Sequence, residues 1–235
     1  MTSIEYQNKL LKKYYAQNVF NKTYYSGISK LVNESGHRLL EKKLTRKNKF
    51  NKILEIGATH GQHRNFIKHQ FNEYVMVDIK LPENIKELKS KNIQFYEINA
   101  ENIDEFPKIK FDRIIATCIL HHLKNPIESL KKWITLMNDE ARMDILIPCE
   151  PTFIWNIGRN LIVKPKLKKL GINAKEYSQI INIEHINKYD DLMKELSKLK
   201  IKYKLEIRNW PFKFLPWYLN IYTRFTLIKS INKRI

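Results

Sequence analysis

The stretch "NKILEIGATHGQH", from Asn51 to His63, decides the fold. An apolar run ends in the acid Glu55, and Gly57 and Gly61 follow four residues apart before a polar segment opens. This order predicts a buried strand, a tight loop and then a helix. Glycines let the backbone turn sharply, and a helix N-terminus offers free N–H groups to an anion. The loop therefore predicts a site for an anion or a nucleoside, although its spacing is neither GxGxxG nor that of a P-loop.

Four further apolar stretches predict more strands of the same kind. With the first, the predicted strands are Ile53 to Ile56, Tyr74 to Ile79, Ile93 to Ile98, Arg113 to Thr117 and Arg142 to Pro148. Nearly continuous apolar strands that alternate with helical stretches indicate parallel pairing with both faces covered, hence an α/β, doubly wound sheet. Ligands bind such sheets beyond the carboxyl ends of the strands, where Asp78 is placed to accept hydrogen bonds from two ribose hydroxyls.

The chain before the first strand predicts a helical cap. Residues from about Ile4 to Leu44 place apolar side chains at helical spacing, with interruptions near Gly27 and Gly36. We therefore divide the chain into an N-terminal helical cap over residues 1–48 and an α/β domain over residues 49–235.

The region after the fourth strand contains a clear helix start and a long insertion. Asn125 as N-cap, Pro126 at the first helical position and Glu128 at the third predict a capped helix. The connection over about residues 149–200 is much longer than the roughly 2 to 6 residues usual for such a loop, even with a helix at Asp190 to Leu199. We expect this insertion to cover the substrate and to line its pocket.

The composition favours one globular protein and leaves the role of its charge open. The 235 residues are 43% apolar, and 43 basic against 24 acidic residues give a net charge of +19. Such a charge fits either a solvated surface or an anionic partner such as a glycan phosphate, a lipid or RNA. Only nine of the basic residues are Arg, whereas phosphate and base recognition favours the guanidinium group.

The sequence predicts neither a targeting signal nor a metal centre. No apolar run approaches the roughly 18 residues of a membrane span, and the first residues lack the apolar core of a signal peptide. We therefore expect a cytoplasmic protein. Cys118 and Cys149 form no CxxC motif, which predicts buried free thiols and no metal centre.

Four segments, taken in order, resemble a known family. "ILEIGATHG", "YVMVDI", "FYEINAENI" and "FDRIIATCILHHLKNP" are similar to the successive motifs of class I S-adenosylmethionine-dependent methyltransferases, over Ile53 to Pro126. The resemblance implies a Rossmann-like, mostly parallel, seven-stranded sheet, whose antiparallel pair of strands would be "KLEIRN" and "IYTRFTLIK". It also implies S-adenosylmethionine as the cofactor. Thr59 departs from the family pattern because it replaces the middle glycine of the first motif.

The same resemblance implies roles in cofactor binding. Glu55 and Gly57 would lie against the methionine part of the cofactor, Asp78 would bind the ribose, and Asn99 with the backbone of Ala100 would recognise adenine. The family more often has Asp at Asn99, but an amide carbonyl can also accept from the adenine amino group. The complete expected set is Glu55, Gly57, Ala58, Gly61, Asp78, Asn99, Ala100 and Thr117.

The second half of the chain resembles a narrower group. "IPCEPTFIWNIGRNL", "EHIN" and "NWPFKFLPWYLNIYTRFTLIK" are similar to segments of methyltransferases from bacterial surface-polysaccharide gene clusters. This resemblance implies a small-molecule or lipid-linked glycan acceptor. Peripheral contact of the cytoplasmic protein with the inner face of the membrane is a separate expectation. The aromatic and basic residues between Trp210 and Phe225 fit a membrane interface or stacking on sugars or bases. The plainer interpretation places most of these aromatic residues in the core or along the acceptor pocket.

A hydroxyl acceptor would require a base, whereas the sulfonium methyl group is already activated. Candidate catalytic residues are His185, His122 and Glu150, and candidate substrate-binding residues are Arg159 and His121. Arg159 would fork onto a phosphate of the acceptor. Each candidate has a plain structural alternative: a histidine that packs in the core or caps the cofactor pocket, or a salt bridge at Glu150 and Arg159.

The sequence thus predicts an O-methyltransferase that acts on a sugar or phosphate of a surface polysaccharide or of its precursor. Two alternatives stay open. The net charge allows an RNA methyltransferase, and the departures at Thr59 and Asn99 allow a non-catalytic binding protein on a decayed methyltransferase fold. The sequence does not predict the oligomeric state or the methylated atom.

Overall fold

A seven-stranded sheet forms the centre of the computed structural model, which describes residues 3–80 and 90–229. The strands are β1 Lys49–Ile56, β2 Gln70–Asp78, β3 Ile93–Glu97, β4 Phe111–Thr117, β5 Met137–Pro148, β6 Lys204–Trp210 and β7 Tyr222–Ile228. Their order is β3-β2-β1-β4-β5-β7-β6. Strand β7 runs antiparallel to β5 and β6, and the other neighbours are parallel. The predicted Rossmann-like sheet and its antiparallel pair are confirmed.

Helices cover both faces of the sheet. They are α1 Ser3–Tyr14, α2 Gln17–Tyr24, α3 Gly27–Glu41, α4 Pro126–Thr135, α5 Phe153–Gly158, α6 Lys164–Lys169, α7 Ala174–Glu184 and α8 Tyr189–Lys198. A π-helical turn at Arg159–Val163 joins α5 to α6. Helices α4 and α8 pack on one face of the sheet and α3 packs on the other. Within the described residues, no helix is long and apolar enough to cross a membrane.

The connection after β1 differs from the prediction. The expected helix after Gly61 is wrong, because the chain forms only a 3-10 turn at Gln62–Phe66. His63 of this turn is fully buried and hydrogen-bonds to His37 and Glu41 of α3, which anchors the segment against that helix. Between β3 and β4 the chain also forms a 3-10 turn in place of a helix. The helical stretch predicted between β2 and β3 falls on residues outside the described ranges.

The N-terminal helices break at one predicted glycine and not at the other. Helix α3 begins at Gly27, as expected, but it continues through Gly36 without interruption. A Cβ atom on Gly36 would lie 2.6 Å from Leu146 Cδ2 of β5. The glycine therefore lets α3 approach the sheet closely, which a sequence pattern alone does not distinguish from a helix break.

Helices α1 and α2 pack on the insertion rather than on the sheet. Their apolar side chains share one buried cluster with α6, α7 and the residues between them: Leu10, Tyr14, Val19, Leu167, Ile172, Tyr177 and Ile180. The predicted N-terminal cap is therefore split between two partners, since α3 packs on the sheet and the first two helices pack on the insertion. The domain boundary at residue 48 stays a prediction.

Helix α4 starts where predicted, but for a different reason. Asn125 is its N-cap and Pro126 its first residue, yet the Asn125 side chain makes no capping bond and Glu128 pairs with Lys131. The Asn125 N–H instead donates to Glu101 Oε1 at 2.8 Å. The predicted capping arrangement is wrong because a tertiary contact replaces the local one.

Two smaller predictions about the second half of the chain can be compared directly. The helix expected at Asp190 to Leu199 is confirmed as α8. Cys118 and Cys149 are both free thiols, of which Cys149 is buried and Cys118 half-buried.

Candidate active site

The loop after β1 is a tight turn that contains three residues with positive φ. They are Gly57, Thr59 and Gly61, with φ of 71°, 50° and 67°. A Cβ atom on Gly57 would lie 2.6 Å from Ile119 Cδ1, so the turn needs glycine there for space as well as for conformation. Thr59 adopts the left-handed conformation that a glycine at this position would adopt without steric cost. Thr59 therefore adopts the backbone conformation of the glycine that it replaces, and this causes local strain.

Asp78 closes this turn from the end of β2. Its Oδ2 accepts a hydrogen bond of 2.8 Å from the Thr59 N–H, and the side chain is half-buried. Asn99, after β3, caps the following 3-10 turn because its Oδ1 accepts from the Glu101 N–H at 2.9 Å. The amide oxygen that the family resemblance assigns to adenine is thus already shared with the backbone.

Two polar groups at the ends of β1 and β4 lie deeper. The Glu55 carboxylate is buried and accepts a 2.7 Å hydrogen bond from Tyr74 Oη, and burial raises the pKa of Glu55. Thr117 Oγ1 is buried without a hydrogen-bond partner within the described residues. An orphaned hydroxyl beside a glycine-rich turn and an acceptor acid fits S-adenosylmethionine, since the cofactor brings its own polar groups. Asp78 and Thr117 would hold it, and the individual contacts stay predictions.

Sequence reasoning missed one contact beside this turn. Tyr25, between α2 and α3, donates from its hydroxyl to Gln62 Oε1 at 2.7 Å. The N-terminal segment therefore reaches the turn that follows Gly61. No local pattern marks this pair, because the two residues are 37 positions apart in the chain.

On the acceptor side, three predicted residues form one cluster. His185 Nδ1 lies 2.7 Å from Glu150 Oε2, and Arg159 donates to the same oxygen. Arg159 Nη2 and His185 Nδ1 are 3.4 Å apart because these two donors share one acceptor. With Nδ1–H directed at the carboxylate, the lone pair of His185 lies on Nε2. We call Glu150, Arg159 and His185 the acceptor cluster.

Backbone hydrogen bonds hold the insertion against the sheet at this point. The N–H groups of Ile186 and Asn187 donate to the His121 carbonyl at 2.9 and 3.1 Å, and the Tyr189 N–H donates to the Glu150 carbonyl at 3.0 Å. These bonds connect the segment between α7 and α8 to the ends of β4 and β5. His185 is thereby delivered to a carboxylate that lies 35 positions earlier in the chain.

The electrostatics of the acceptor cluster favour an ionised Glu150. Burial alone would raise its pKa, but the hydrogen bonds with His185 and Arg159 and the charge of Arg159 outweigh burial and lower it. A carboxylate beside Nδ1 stabilises a proton that the ring gains at Nε2. The arrangement can therefore take a proton from a nearby donor.

His121 and His122 flank the acceptor cluster in a different state. Their ring centroids lie 4.0 Å apart, and those of His121 and His185 lie 4.5 Å apart. Burial and then the nearby His185 lower the pKa of His122 to about 4. Burial and then His122 lower the pKa of His121 well below its ordinary value. Both rings are therefore neutral near pH 7, and His122 donates its Nδ1–H to the Glu184 carbonyl at 2.8 Å.

The three histidines also have the proximity that a metal site would need. One ring nitrogen from each of His121, His122 and His185 lies within 4.8 Å of the other two. His121 Nδ1 is buried and has no hydrogen-bond partner within residues 3–80 and 90–229. The sequence prediction of no metal stays untested.

A border of tyrosines completes the acceptor side. Tyr15, directly after α1, donates to the Glu184 carboxylate, and the hydroxyl groups of Tyr14 and Tyr24 share a hydrogen bond beside Tyr177 of α7. These residues were not predicted, because the sequence gives no sign that α1 and α2 pack on the insertion. Their positions follow from the buried cluster that the two segments share.

The aromatic residues before and within β7 are divided between core and surface. Trp210 and Trp217 are half-buried and Tyr222 is buried, whereas Phe212, Phe214 and Tyr218 are exposed. The interpretation that most of them lie in the core or along the pocket is therefore wrong for the three exposed residues, which all belong to the loop between β6 and β7.

Comparisons with known proteins show which domain and which folds this chain resembles. Residues 54–143 match the family model of a methyltransferase domain, and no curated protein matches the chain. The plantazolicin methyltransferase BpumL in complex with SAH is 14% identical, with a TM-score of 0.64 over 97% of each chain. The N-methyltransferase NodS from Bradyrhizobium japonicum WM9, with S-adenosyl-L-homocysteine, is 9% identical, with a TM-score of 0.59 over 96% of this chain and 98% of that one. An O-methyltransferase family protein from Burkholderia thailandensis is 11% identical, with a TM-score of 0.59 over 97% of this chain and 63% of that one.

The fold and the domain match define a class. Residues 54–143 match a methyltransferase domain, and the sheet has the class I methyltransferase fold of solved structures that hold S-adenosyl-L-homocysteine, the product of S-adenosylmethionine. At these identities the similar structures establish the fold alone. They include N- and O-methyltransferases, so the fold leaves the acceptor atom open.

Proposed function

We propose that the protein methylates a hydroxyl group on a sugar of a surface polysaccharide or of its small-molecule or lipid-linked precursor. The observation that carries this proposal is the pairing of Glu150 with His185 beyond the ends of the parallel strands. When bound, the cofactor supplies a methyl group that is already activated on a positive sulfur. The task left to the side chains is to orient a hydroxyl, exclude water and take its proton.

Each member of the acceptor cluster has a defined part in this task. Glu150 fixes the tautomer of His185, and its charge stabilises the imidazolium that forms when Nε2 accepts the hydroxyl proton. Arg159 holds the same carboxylate oxygen from the other side. His122 is a weaker candidate for the base, because its lowered pKa of about 4 gives it little affinity for a proton near pH 7.

The charge balance of the cluster favours a hydroxyl over a phosphate acceptor. A phosphate would need an uncompensated cation, but the Arg159 guanidinium is engaged by Glu150 and its side chain is only 13% exposed. Among the tyrosines around the cluster, Tyr15 is 47% exposed and offers a ring face of the kind that a sugar can contact. A lipid-linked sugar would place the protein in the cytoplasm at the inner face of the membrane.

Transfer of labelled methyl groups to separated acceptors tests the proposal. Fractionated cell glycans, nucleotide sugars and RNA are each incubated with the protein and labelled S-adenosylmethionine. Label in glycans or nucleotide sugars is expected. Label in RNA alone would instead favour an RNA methyltransferase, and the absence of saturable cofactor binding would favour a non-catalytic protein.

The role of His185 gives the sharpest test of the mechanism. His185→Gln should lower kcat by about 10² to 10⁴, because general base catalysis contributes that factor. Cofactor affinity should stay near the wild-type value. A chelator should leave wild-type turnover unchanged, which separates a base from a metal ligand.

A matched substitution of glutamates provides the control. Glu150→Gln removes the charge beside His185 and should also slow turnover, whereas Glu195→Gln on the outer side of α8 should not. Wild-type turnover in His185→Gln would mean that the insertion is structural and that the acceptor binds elsewhere.

A further inference from the structure

Helix α5 and the π-helical turn after it carry an apolar stripe on their outer side. Phe153, Ile157 and Leu161 follow each other at intervals of four residues and are 74%, 41% and 72% exposed. Such spacing places the three side chains along one side of the helical segment. Large apolar side chains so exposed in a row are costly in water unless something covers them.

The opposite side of the same segment is fixed to the protein. Trp155 donates from Nε1 to the Ile221 carbonyl at 2.9 Å, and Arg159 bonds to Glu150 of the acceptor cluster. The orientation of the helical segment is therefore set by partly buried polar contacts. The apolar stripe is held outward and cannot turn into the core.

The loop between β6 and β7 presents a second set of exposed apolar residues. They are Phe212, Phe214, Leu215, Tyr218 and Leu219, with Phe214 the most exposed at 89%. The buried Asn220 accepts from the Phe212 N–H at 2.7 Å and donates to the carbonyls of Leu215 and Pro216 at 3.2 and 3.0 Å. The loop is thus a defined structure that holds these side chains in water.

The two segments that carry these sets lie next to each other. Helix α5 contacts the turn at Trp217–Leu219, which lies in the loop between β6 and β7. We call the exposed apolar side chains of both segments the docking surface: Phe153, Ile157, Leu161, Phe212, Phe214, Leu215, Tyr218 and Leu219.

The two segments that carry the docking surface contain basic residues and no acidic ones. Residues 151–175 contain six Lys and Arg and no acid, and residues 207–229 contain four and no acid. Arg159 and Arg224 are engaged inside the protein, whereas Lys168, Lys169 and Lys213 are exposed. Lys213 Nζ lies 4.9 Å from the ring centroid of Phe214, so a cation accompanies the most exposed aromatic side chain.

We propose that the docking surface binds the protein to an anionic lipid membrane, with its apolar side chains inserted between the headgroups. Aromatic and aliphatic side chains beside lysines match a surface in which apolar chains lie beneath negative phosphates. Single-stranded RNA fits less well, because it needs aromatic platforms and gains little from aliphatic Ile157, Leu161 and Leu215.

Docking in this way has a consequence for the acceptor site. The helical segment that carries the stripe also supplies Arg159 to the acceptor cluster, so the membrane would lie next to the place where the acceptor binds. A lipid-linked acceptor could then reach the site without leaving the bilayer surface. The docking itself needs neither cofactor nor acceptor, so it can fail or hold independently of the proposed function.

Sedimentation with lipid vesicles tests the proposal on the full chain. Vesicles of pure phosphatidylcholine are compared with vesicles of equal parts phosphatidylcholine and phosphatidylglycerol, and a single-stranded RNA competes in a parallel series. We expect the protein to sediment with the anionic vesicles and to stay largely in solution with the neutral ones. Moderate salt should weaken this binding without abolishing it.

Two variants separate the docking surface from general charge. Phe153→Ser with Phe214→Ser should lower partition into anionic vesicles by at least about tenfold, since even one fully buried Phe is worth that factor. Ile201→Ser is the matched control, because Ile201 is also 89% exposed but lies before β6, outside the docking surface. It should bind like the wild type, and thermal melting should show that both variants are folded.

Three outcomes would overturn the proposal. They are equal binding of the double variant and the wild type, the absence of sedimentation with anionic vesicles, and binding that RNA abolishes while the double variant retains its RNA affinity. The last result would assign the positive surface to nucleic acid.

Discussion

Two clusters of Glu, His and Arg lie within residues 3–80 and 90–229, and they differ in their place in the fold. The first, the inner cluster, lies under α3 and consists of Glu41, His63, His69, Arg113 and Asp144. Arg113 Nη1 lies 2.6 Å and His63 Nε2 lies 2.9 Å from Glu41 Oε1, and Arg113 Nε donates to Asp144 Oδ2 at 3.0 Å. Arg113 is fully buried and Glu41 is 3% exposed, so the inner cluster connects α3 to β4 and β5 without contact to solvent.

The second is the acceptor cluster, which has the same residue types at the carboxyl ends of the strands. Its side chains are 12% to 21% exposed. One side of His185 is therefore accessible to a ligand, whereas no ligand can reach Glu41. The comparison teaches that a Glu–His–Arg combination is not a site by its chemistry alone. Only the acceptor cluster lies at the carboxyl ends of the parallel strands, where ligands bind such sheets.

The largest difference between the clusters should appear in stability. Arg113→Met removes the shortest contact of the buried Glu41 carboxylate and one hydrogen bond to the buried Asp144, and it should lower the free energy of unfolding by about 3 to 5 kcal/mol. Arg159→Met should cost no more than about 2 kcal/mol, because Glu150 keeps His185 and some access to water. Urea unfolding of both variants measures this, and equal losses would contradict the distinction.

A smaller effect, on cofactor affinity, should distinguish the residues that bind the cofactor from those of the acceptor cluster. Asp78→Ala should weaken S-adenosylmethionine binding by about 1 to 3 kcal/mol, because hydrogen bonds to a charged acceptor are lost. The His185 and Glu150 variants should bind the cofactor normally. Titration calorimetry compares them, with Asp191→Ala on the exposed side of α8 as a control for loss of one aspartate. Unchanged affinity in folded Asp78→Ala would remove Asp78 from the cofactor site.

His37, which contacts the inner cluster through His63, should also make the stability of the protein depend on pH. His37 hydrogen-bonds to His63, and burial and then the charge of His63 lower the pKa of His37 from 6.5 to about 3. Between these values the unfolded chain binds a proton that the folded protein does not, so stability falls as the pH falls through this window. His37→Gln should reduce the slope by about 1.4 kcal/mol per pH unit. Urea unfolding at several pH values checks this, and parallel curves for variant and wild type would contradict it.

The sheet and the cofactor side were largely predictable from the sequence. Five predicted strands, the antiparallel pair and α8 are confirmed, because apolar runs of strand length and apolar side chains at helical spacing are local signals. The residues expected at the cofactor lie at or directly after the ends of β1, β2, β3 and β4, and parallel strands bring such positions to one edge of the sheet. Even there, tertiary contacts changed the outcome: His63 is anchored under α3, and only a 3-10 turn forms where a helix was expected.

The sequence by itself determined where the apolar strands lie along the chain, that a glycine-containing turn follows the first strand, and which residues are candidates for the site. Each of these depends on neighbours within a few positions. Only the tertiary structure decided which candidates act together. Glu150, Arg159 and His185 share one oxygen because backbone bonds hold the insertion against the ends of β4 and β5. The tyrosine border, the inner cluster and the docking surface likewise depend on contacts between segments far apart in the chain. Packing of the whole chain sets those contacts, and no local pattern encodes them.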